Sequence, residues 1–493
     1  MKRYRDALAE FKARFEQQDG GDASSSKAAA SVVSEDERRK KRAKKKRKTA
    51  SDSFKTSTTI SVDLAQDPYA IDWQKKPKAQ KSLCGKKKKK ALRNRDPSVK
   101  YLTNPQNAPK VHAAKEFFSN HWKAGTFNVV CGKKTGWRTV AKLSVRGTPP
   151  VIGLFAPNSH RVVPIPDSPA HHPAINKALA LLEQAISSVE LKGYDGVNPG
   201  GLSYVAFSVQ RSTSKVQCTL VFNDANKSRI GGDKVQRLVD ILGGSKRKAG
   251  APKTQFHSIW LHFHPATRHD NSIFARDDSA WECVYGTDSG VEEFFPNMSK
   301  VKPVPKLYFP PYVFRQANLD GFANIVRVIR NFLPTDHKKK VVELYGGVGT
   351  IGLNILDRVT SLSCSDENPH NEACFLRSLK AIRDGTKATY TTGSATAMVH
   401  QGDLDGKDVC IVDPPRKGMD SPVLDALLRP AGPKRLIYVS CGFKAFQRDF
   451  AVLTSVDSSY HYDLIHAEGH ILFPGADHLE TVAVFDKHGT APW

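Results

Sequence analysis

The second half of the chain alternates short apolar runs with helical patterns, and this alternation limits the folds that it can adopt. Four runs, each bounded by turn signals, follow one another from about residue 312 onward: VVELY (341–345), SLSCS (361–365), DVCIVD (408–413) and RLIYVSC (435–441). Helical patterns such as that of residues 371–382 separate them. Strands that alternate with helices form a doubly wound, mostly parallel sheet. Residues 312–493 are therefore predicted to be an α/β domain, which ends in two further strands around a loop within residues 464–487.

Residues 106–311 show a different pattern, in which extended segments follow one another directly. The segment 137–147 alternates as a half-buried strand does, 151–155 is a short strand after a Pro-Pro turn, and three apolar runs within 204–263 predict further strands. The apolar spacing of residues 174–191 predicts one helix. We therefore predict a central α+β domain built on an antiparallel sheet. Its histidines at positions 257, 262 and 264 offer two ligands on one strand face but no third, so we predict no metal site there.

The first 105 residues are predicted to form a disordered basic tail. Residues 1–100 hold 29 Lys and Arg against 13 Asp and Glu, a net charge of +16 within a total of +26. Such a stretch buries too little apolar surface to order itself. Only Ala43 is not basic between Arg38 and Lys48, which favours nuclear or nucleolar localisation, although residues 1–18 could instead be an organelle-targeting helix. The excess of positive charge in both parts of the chain predicts a polyanionic partner.

The cysteines exclude several classes of protein. The chain has eight of them, scattered and without any CxxC pair, which argues against a structural zinc site, an iron–sulfur cluster or a disulfide framework. No stretch reaches 18 consecutive apolar residues, so we predict no membrane span.

Two segments of the α/β domain predict a nucleotide site. The first apolar run continues into ELYGGVGTIGL (343–353), where Gly346, Gly347 and Gly349 precede a predicted helix. Glycines allow the backbone to approach a ligand closely, and a helix N-terminus offers free N–H groups. Asp366 follows the second run, where a carboxylate can accept the hydroxyl groups of a ribose. A helix N-cap is the alternative role for Asp366.

Two further segments carry candidate reactive groups. Cys441 ends the fourth run, at the edge of a parallel sheet where ligands bind, and a thiolate there is a soft nucleophile. The cysteines at 364, 374 and 410 lie within apolar patterns and are predicted to be inert. Asp477, His478 and Glu480 lie in a loop that leads into the last strand, and Glu480 could act as a general base. A solvated strand residue is the alternative interpretation of Glu480.

The motifs together resemble one known family. Phe314, Gln316 and Asn318 (F-x-Q-x-N), then ELYGGVG, DPPRKG (413–418), SC (440–441) and FP…HLE (473–480) occur in one order within residues 110–490. This ordered set resembles the RNA 5-methyluridine methyltransferases, which include the bacterial tRNA and 23S rRNA uracil-C5 enzymes. The resemblance implies a class I methyltransferase sheet, a central RNA-contacting domain and S-adenosylmethionine as the cofactor.

The resemblance also assigns roles to individual residues. It makes Cys441 the covalent nucleophile and Glu480 the general base. The residues that it implies around S-adenosylmethionine are Gln316, Tyr345, Thr350, Asp366 and Asp413. This chain departs from the family pattern in having Gly346 instead of Cys, Gly442 and Phe443 instead of Asn-Pro after the nucleophile, and Asp366 instead of Glu.

We therefore expect a monomeric enzyme that methylates carbon 5 of uridine in RNA, with tRNA as the first expected substrate and rRNA as the second. Two alternatives remain at this point. The Gly442–Phe443 departure is compatible with an RNA-binding or folding factor that has lost turnover, and a cytosine-C5 or protein methyltransferase would share much of the fold. The segment DPPRKG places Arg416 where amine methyltransferases have an aromatic residue, and it lacks the cysteine of the cytosine-C5 enzymes.

Overall fold

The computed structural model describes residues 96–224, 232–243, 254–264, 274, 278–295, 303–333, 339–383 and 385–489. The predicted tail, including its basic run, lies outside these residues except for 96–105. Within the described ranges, no helix is both long enough and apolar enough to cross a membrane.

The described elements include seventeen strands and eight α-helices. In chain order the strands are β1 (Asn128–Cys131), β2 (Val140–Arg146), β3 (Val151–Phe155), β4 (Val162–Pro164), β5 (Leu202–Gln210), β6 (Lys215–Phe222), β7 (Phe256–Phe263), β8 (Trp281–Gly286), β9 (Val291–Glu293), β10 (Leu307–Phe309), β11 (Lys340–Leu344), β12 (Ser361–Asp366), β13 (Ala388–Thr392), β14 (Val409–Val412), β15 (Arg435–Ser440), β16 (Tyr460–Ile471) and β17 (Glu480–Gly489). The helices are α1 (Pro109–His121), α2 (Pro173–Ser188), α3 (Gly232–Gly243), α4 (Leu319–Asn331), α5 (His370–Lys380), α6 (Ala395–His400), α7 (Ser421–Leu427) and α8 (Phe443–Leu453).

The central sheet has the spatial order β4-β3-β2-β5-β6-β7-β8, and α2 and α3 share its apolar core. All of its neighbouring strands are antiparallel except β6 and β7, which are parallel. The prediction of an antiparallel sheet was wrong at this pair. Parallel neighbours need a crossover, and α3, which the sequence analysis did not identify, lies between these two strands in the chain.

The second sheet has the order β1-β16-β17-β15-β14-β11-β12-β13. Its ladders are parallel except for the two that β17 forms with β15 and β16. Helices α4 and α5 pack on one face, while α1, α6, α7 and α8 pack on the other. Burial on both faces explains why the inner strands β11, β14 and β15 are short, largely apolar runs rather than alternating ones. The predicted doubly wound, mostly parallel sheet is thus confirmed.

Residues 109–131, which the sequence-based division assigned to the central domain, pack on the second sheet. Helix α1 buries Val111, Ala114 and Phe118 in the core that also contains α8. Strand β1 extends the sheet by pairing in parallel with β16. This segment was not identified from the sequence because its apolar residues are interspersed with Lys, His and Asn.

A buried ion pair holds the segment that leads into the second sheet. Arg315 Nη2 lies 2.6 Å from Glu293 Oε1, and both side chains are almost fully buried. Glu293 also accepts hydrogen bonds from the backbone N–H and the Nε of Arg211. The N–H and Oγ1 of Thr139 both donate to Ala317 O, at 2.7 and 2.9 Å, so this segment is also tied to the start of β2.

Candidate active site

Four of the predicted site residues lie at one edge of the second sheet. Asp366 is the last residue of β12, and Tyr345, Asp413 and Cys441 follow directly after β11, β14 and β15. The parallel registers align the ends of these strands, because Leu344 pairs with both Ser365 and Val412. The carboxyl ends of parallel strands are where open α/β sheets bind ligands.

The last strand brings Glu480 to the same edge. The antiparallel β15–β17 ladder ends with the pair Ser440–Thr481, and extending this register by one residue sets Cys441 opposite Glu480. Such opposite residues have Cβ atoms roughly 5 Å apart on one face of a sheet. Glu480 is only 5% exposed. The thiol and the carboxyl group, 39 positions apart in sequence, therefore face the same small volume.

Burial controls the protonation of this pair. It raises the pKa of the Cys441 thiol to about 11, with further increases from the charges of Glu480 and Asp413 and a decrease from Arg416. Burial also raises the pKa of Glu480 to about 8, and Asp413 adds to that shift while Arg416 opposes it. Burial raises the pKa of Asp413 to about 7. At neutral pH the pair therefore mostly holds its protons, and a cation bound beside it would favour their release.

The glycine turn after β11 has a backbone that requires glycine. Gly349 has a φ of +81°, and a Cβ atom there would lie 2.5 Å from the ring of Phe375. The helix predicted after the turn is confirmed, and it is a 3₁₀ helix, Gly352–Arg358. Thr350 lies between Gly349 and this helix, and its carbonyl accepts a hydrogen bond from Asn354 Nδ2 at 3.0 Å.

Glu343 is a site residue for which the sequence analysis assigned no role. It is buried, burial raises its pKa to about 8, and its Oε2 accepts a hydrogen bond from Cys364 Sγ at 3.3 Å. The carboxyl group lies against the turn, because a Cβ atom on Gly352 would be 2.2 Å from Oε2. The acidic residue before the glycines was visible in the sequence, but only the packing reveals that it supports the turn from within the core.

Asp366 anchors the glycine turn. Its Oδ2 accepts the Gly347 N–H at 3.1 Å, and its Oδ1 accepts the Asn368 N–H and Asn371 Nδ2 at 2.9 and 3.0 Å. It is not a helix N-cap, since α5 begins at His370 after Pro369. The contribution of Asn371 was missed because it comes from α5, which carries no recognisable signal for this contact.

Gln316 is half-buried in the segment between β10 and α4. Two residues later, Asn318 caps α4 by accepting the Gly321 N–H at 2.9 Å, and its Nδ2 donates to Leu472 O at 2.8 Å. These bonds tie the F-x-Q-x-N segment to the end of β16. Phe314, at the start of the motif, is 69% exposed.

Positive groups from separate parts of the chain surround His478. Its Nε2 lies 3.7 Å from Glu480 Oε1, but burial and the charges of Lys110, Arg416 and Arg138 lower its pKa to about 3, so the two do not form an ion pair. The Arg138 guanidinium lies over the ring of Phe473, 5.4 Å from its centroid. The surroundings of Glu480 are thus basic as well as apolar.

The central histidines have structural surroundings. His262 is fully buried, its Nδ1 is 3.1 Å from Ala280 O, and its ring stacks on Trp281 at 3.9 Å. Within the described ranges, no group of three or more His, Cys, Asp or Glu is arranged to hold a metal ion.

Comparison with known proteins identifies relatives over most of the chain, although no family model matches the sequence. A protein of Protochlamydia amoebophila, described as an uncharacterized RNA methyltransferase, is 34% identical over 361 residues, which cover 72% of this chain and 87% of the relative. A protein of Geobacter sulfurreducens with the same description is 24% identical and covers 71% and 66%. Among solved structures, the tRNA (uracil-54, C5)-methyltransferase of Pyrococcus abyssi in complex with S-adenosyl-L-homocysteine superposes with a TM-score of 0.58 at 20% identity, covering 76% of this chain and 82% of that one. At this identity the superposition establishes a shared fold.

Proposed function

The chain belongs to the RNA 5-methyluridine methyltransferases, the family that its motifs resemble, and we propose that it methylates carbon 5 of uridine in RNA. The methyl donor is S-adenosylmethionine. The observation that supports this most strongly is the opposition of Cys441 and Glu480 across the end of the β15–β17 ladder. A nucleophile and a base that face one small volume match the two groups that this reaction requires.

The chemistry assigns each of these groups a step. Carbon 5 of uracil is a poor nucleophile, and addition of the Cys441 thiolate to carbon 6 converts the ring into an enolate whose carbon 5 is nucleophilic. When bound, S-adenosylmethionine supplies an electrophilic methyl group. Glu480 then removes the proton from carbon 5, and elimination breaks the bond between carbon 6 and sulfur and releases the thiolate.

The residues at the sheet edge fit this cofactor. The space beside the α-carbon of Gly347 is open, since a Cβ atom there would meet no atom within 4 Å. Asp366 borders the same turn with a carboxylate that can accept ribose hydroxyl groups. Asp413 adds an acidic group that would attract a sulfonium cation. Gln316, Tyr345 and Thr350 would complete the set that holds the cofactor.

The basic surroundings of Glu480 suit an RNA substrate. Arg138, Arg416 and Lys110 supply positive charge from three segments, and phosphate contacts of this kind position a nucleic acid without reading its sequence. The target base must leave its stack to reach the thiol. We propose tRNA as the substrate, with rRNA as the second candidate, and a nuclear or nucleolar location directed by residues 38–48.

Methyl transfer to defined RNAs tests this proposal. The purified chain is incubated with methyl-labelled S-adenosylmethionine and unmodified tRNA or rRNA transcripts, and the nucleosides are then separated. We expect label in 5-methyluridine, with more on tRNA. Label in 5-methylcytidine would support the cytosine alternative, and RNA binding without any label would support a factor that has lost turnover.

Replacement of Asp366 by Ala should weaken cofactor binding about 10- to 100-fold. The variant loses a charged acceptor for the ribose and for the Gly347 N–H, and such bonds contribute roughly 1.5–3 kcal/mol. Calorimetric titration with S-adenosylmethionine would measure the change. Asp405→Ala, at an exposed position, serves as the matched control and should bind as the parent does.

The rate of methyl transfer should rise as the pH increases from about 6.5 to 9. Glu480 acts as a base only when ionised, and with a pKa of about 8 it is ionised above that pH and protonated below it. A higher pH also increases the fraction of Cys441 that is thiolate, because the pKa of this thiol is raised as well. Bound cofactor would lower the midpoint through its positive charge. Initial rates across this range at saturating substrates test the prediction, and a rate that falls with rising pH would contradict it.

A further inference from the structure

Residues 98–121, here called the N-terminal clamp, contact both segments that carry the proposed catalytic pair. The clamp precedes Cys441 by more than 300 positions, yet α1 within it packs in the core of the second sheet. It is therefore positioned to control how Cys441 and Glu480 face each other.

The first contact is aromatic and lies beside the nucleophile. Phe443, two residues after Cys441, begins α8. Phe117 meets its ring edge-on, with centroids 5.7 Å apart, and Phe118 approaches it at 6.2 Å. Phe117 also meets the ring of Phe450 on the same helix at 5.1 Å. The aromatic residue at position 443, where the family has proline, thus joins the nucleophile turn to α1.

The second contact is polar and lies beside the base. Lys110 N–H, in the first turn of α1, donates to Asp477 Oδ1 at 2.9 Å, three residues before Glu480. The Tyr101 N–H donates to Gly475 O at 2.8 Å. The chain entering β17 is therefore held by two bonds from the clamp.

The nucleophile turn also has little freedom on its other side. A Cβ atom on Gly442 would lie 2.3 Å from Arg416 O, so glycine permits the close approach of the DPPR segment. The turn that carries Cys441 thus contacts Arg416 on one side, through Gly442, and α1 on the other, through Phe443.

We propose that the N-terminal clamp sets the spacing of the Cys441 thiol and the Glu480 carboxyl group, with Asp477 and Phe117 as positioning residues. This inference rests on the proposed function for its consequence in catalysis, but the spacing itself is measurable without RNA or cofactor. Asp477 is exposed, so its replacement should change the spacing without a large loss of stability.

Alkylation of Cys441 by iodoacetamide, followed by mass spectrometry of its peptide, reports on this spacing. Only the thiolate reacts, and the nearby charge of Glu480 opposes its formation. Glu480→Gln should therefore accelerate alkylation at pH 9. Asp477→Ala should also accelerate alkylation, by at least about threefold, because the carboxyl group of Glu480 is no longer held against the thiol. This increase corresponds to a decrease of about half a unit in the pKa of Cys441. Asp477→Asn, whose amide oxygen still accepts the Lys110 N–H, should match the parent.

The same variants are then compared in methyl transfer. We expect Asp477→Ala and Phe117→Ala to lower kcat about tenfold, with affinities for RNA and cofactor close to those of the parent. The melting temperature of Asp477→Ala should also be close to that of the parent. Asp477→Asn and Phe117→Leu should restore kcat. Alkylation of Asp477→Ala at the parental rate, or failure of Glu480→Gln to accelerate it, would overturn the proposal. A parent that transfers no methyl group to uridine would refute the proposed function, while alkylation would still decide the role of the clamp.

Discussion

Replacement of Cys441 by Ala is expected to lower methyl transfer by about 1,000-fold or more and to eliminate covalent complexes with RNA that contains 5-fluorouridine. Without the thiol no bond forms to carbon 6, so carbon 5 remains a poor nucleophile. The base cannot remove fluorine from carbon 5 as it removes a proton, so elimination is blocked and the active parent should remain covalently bound to this RNA. A band that resists denaturing electrophoresis reports the trapped complex.

The change should affect chemistry rather than folding or cofactor binding. Cys441 is only half-buried at the end of β15, so removal of its sulfur creates no core cavity. Cys131→Ala is a matched control, because Cys131 is also a half-buried free thiol. A covalent complex that persisted in Cys441→Ala, or one that disappeared in Cys131→Ala, would contradict the assignment of the nucleophile.

Replacement of Glu480 by Gln is expected to lower turnover about 100- to 10,000-fold and to trap the methylated covalent complex on ordinary uridine RNA. Glutamine cannot remove the proton from carbon 5, so the reaction should proceed through addition and methylation and then stop before elimination. Electrophoresis under denaturing conditions should show a slow band that carries the labelled methyl group, which the parent does not accumulate.

Glutamine suits this position because the buried carboxyl group already holds its proton at neutral pH much of the time. Thermal unfolding should therefore remain close to that of the parent. Glu468→Gln provides the control, since Glu468 is a partly buried acid on the neighbouring strand β16. Parental turnover in Glu480→Gln would exclude Glu480 as the base.

Several local features could be predicted because they depend on nearby residues. The run at 151–155 is a strand at the predicted residues, and the four apolar runs of the second sheet are strands with ends shifted by one residue or so. Strands buried on both faces must be apolar throughout, and that requirement leaves a signal in the sequence. The two final strands, β16 and β17, were also predicted.

Elements that depend on distant partners were missed. Helix α1 shows no strong apolar stripe, and its place is decided by Phe443 and the rest of α8. Helix α3 makes β6 and β7 parallel, which no local pattern of either strand could indicate. The helix after the glycine turn was predicted, but its 3₁₀ form, packed over the buried Glu343, was not.

The sequence by itself determined that Tyr345, Asp366, Asp413 and Cys441 lie at the ends of apolar strands, because alternation of apolar runs and turns is a local property of the chain. Only the tertiary structure decided that β17 runs antiparallel beside β15 and so sets Glu480 opposite Cys441. It also decided the raised pKa values of both groups. Strand pairing and burial depend on contacts between residues far apart in the chain, and the free energy of those contacts is not contained in any single segment.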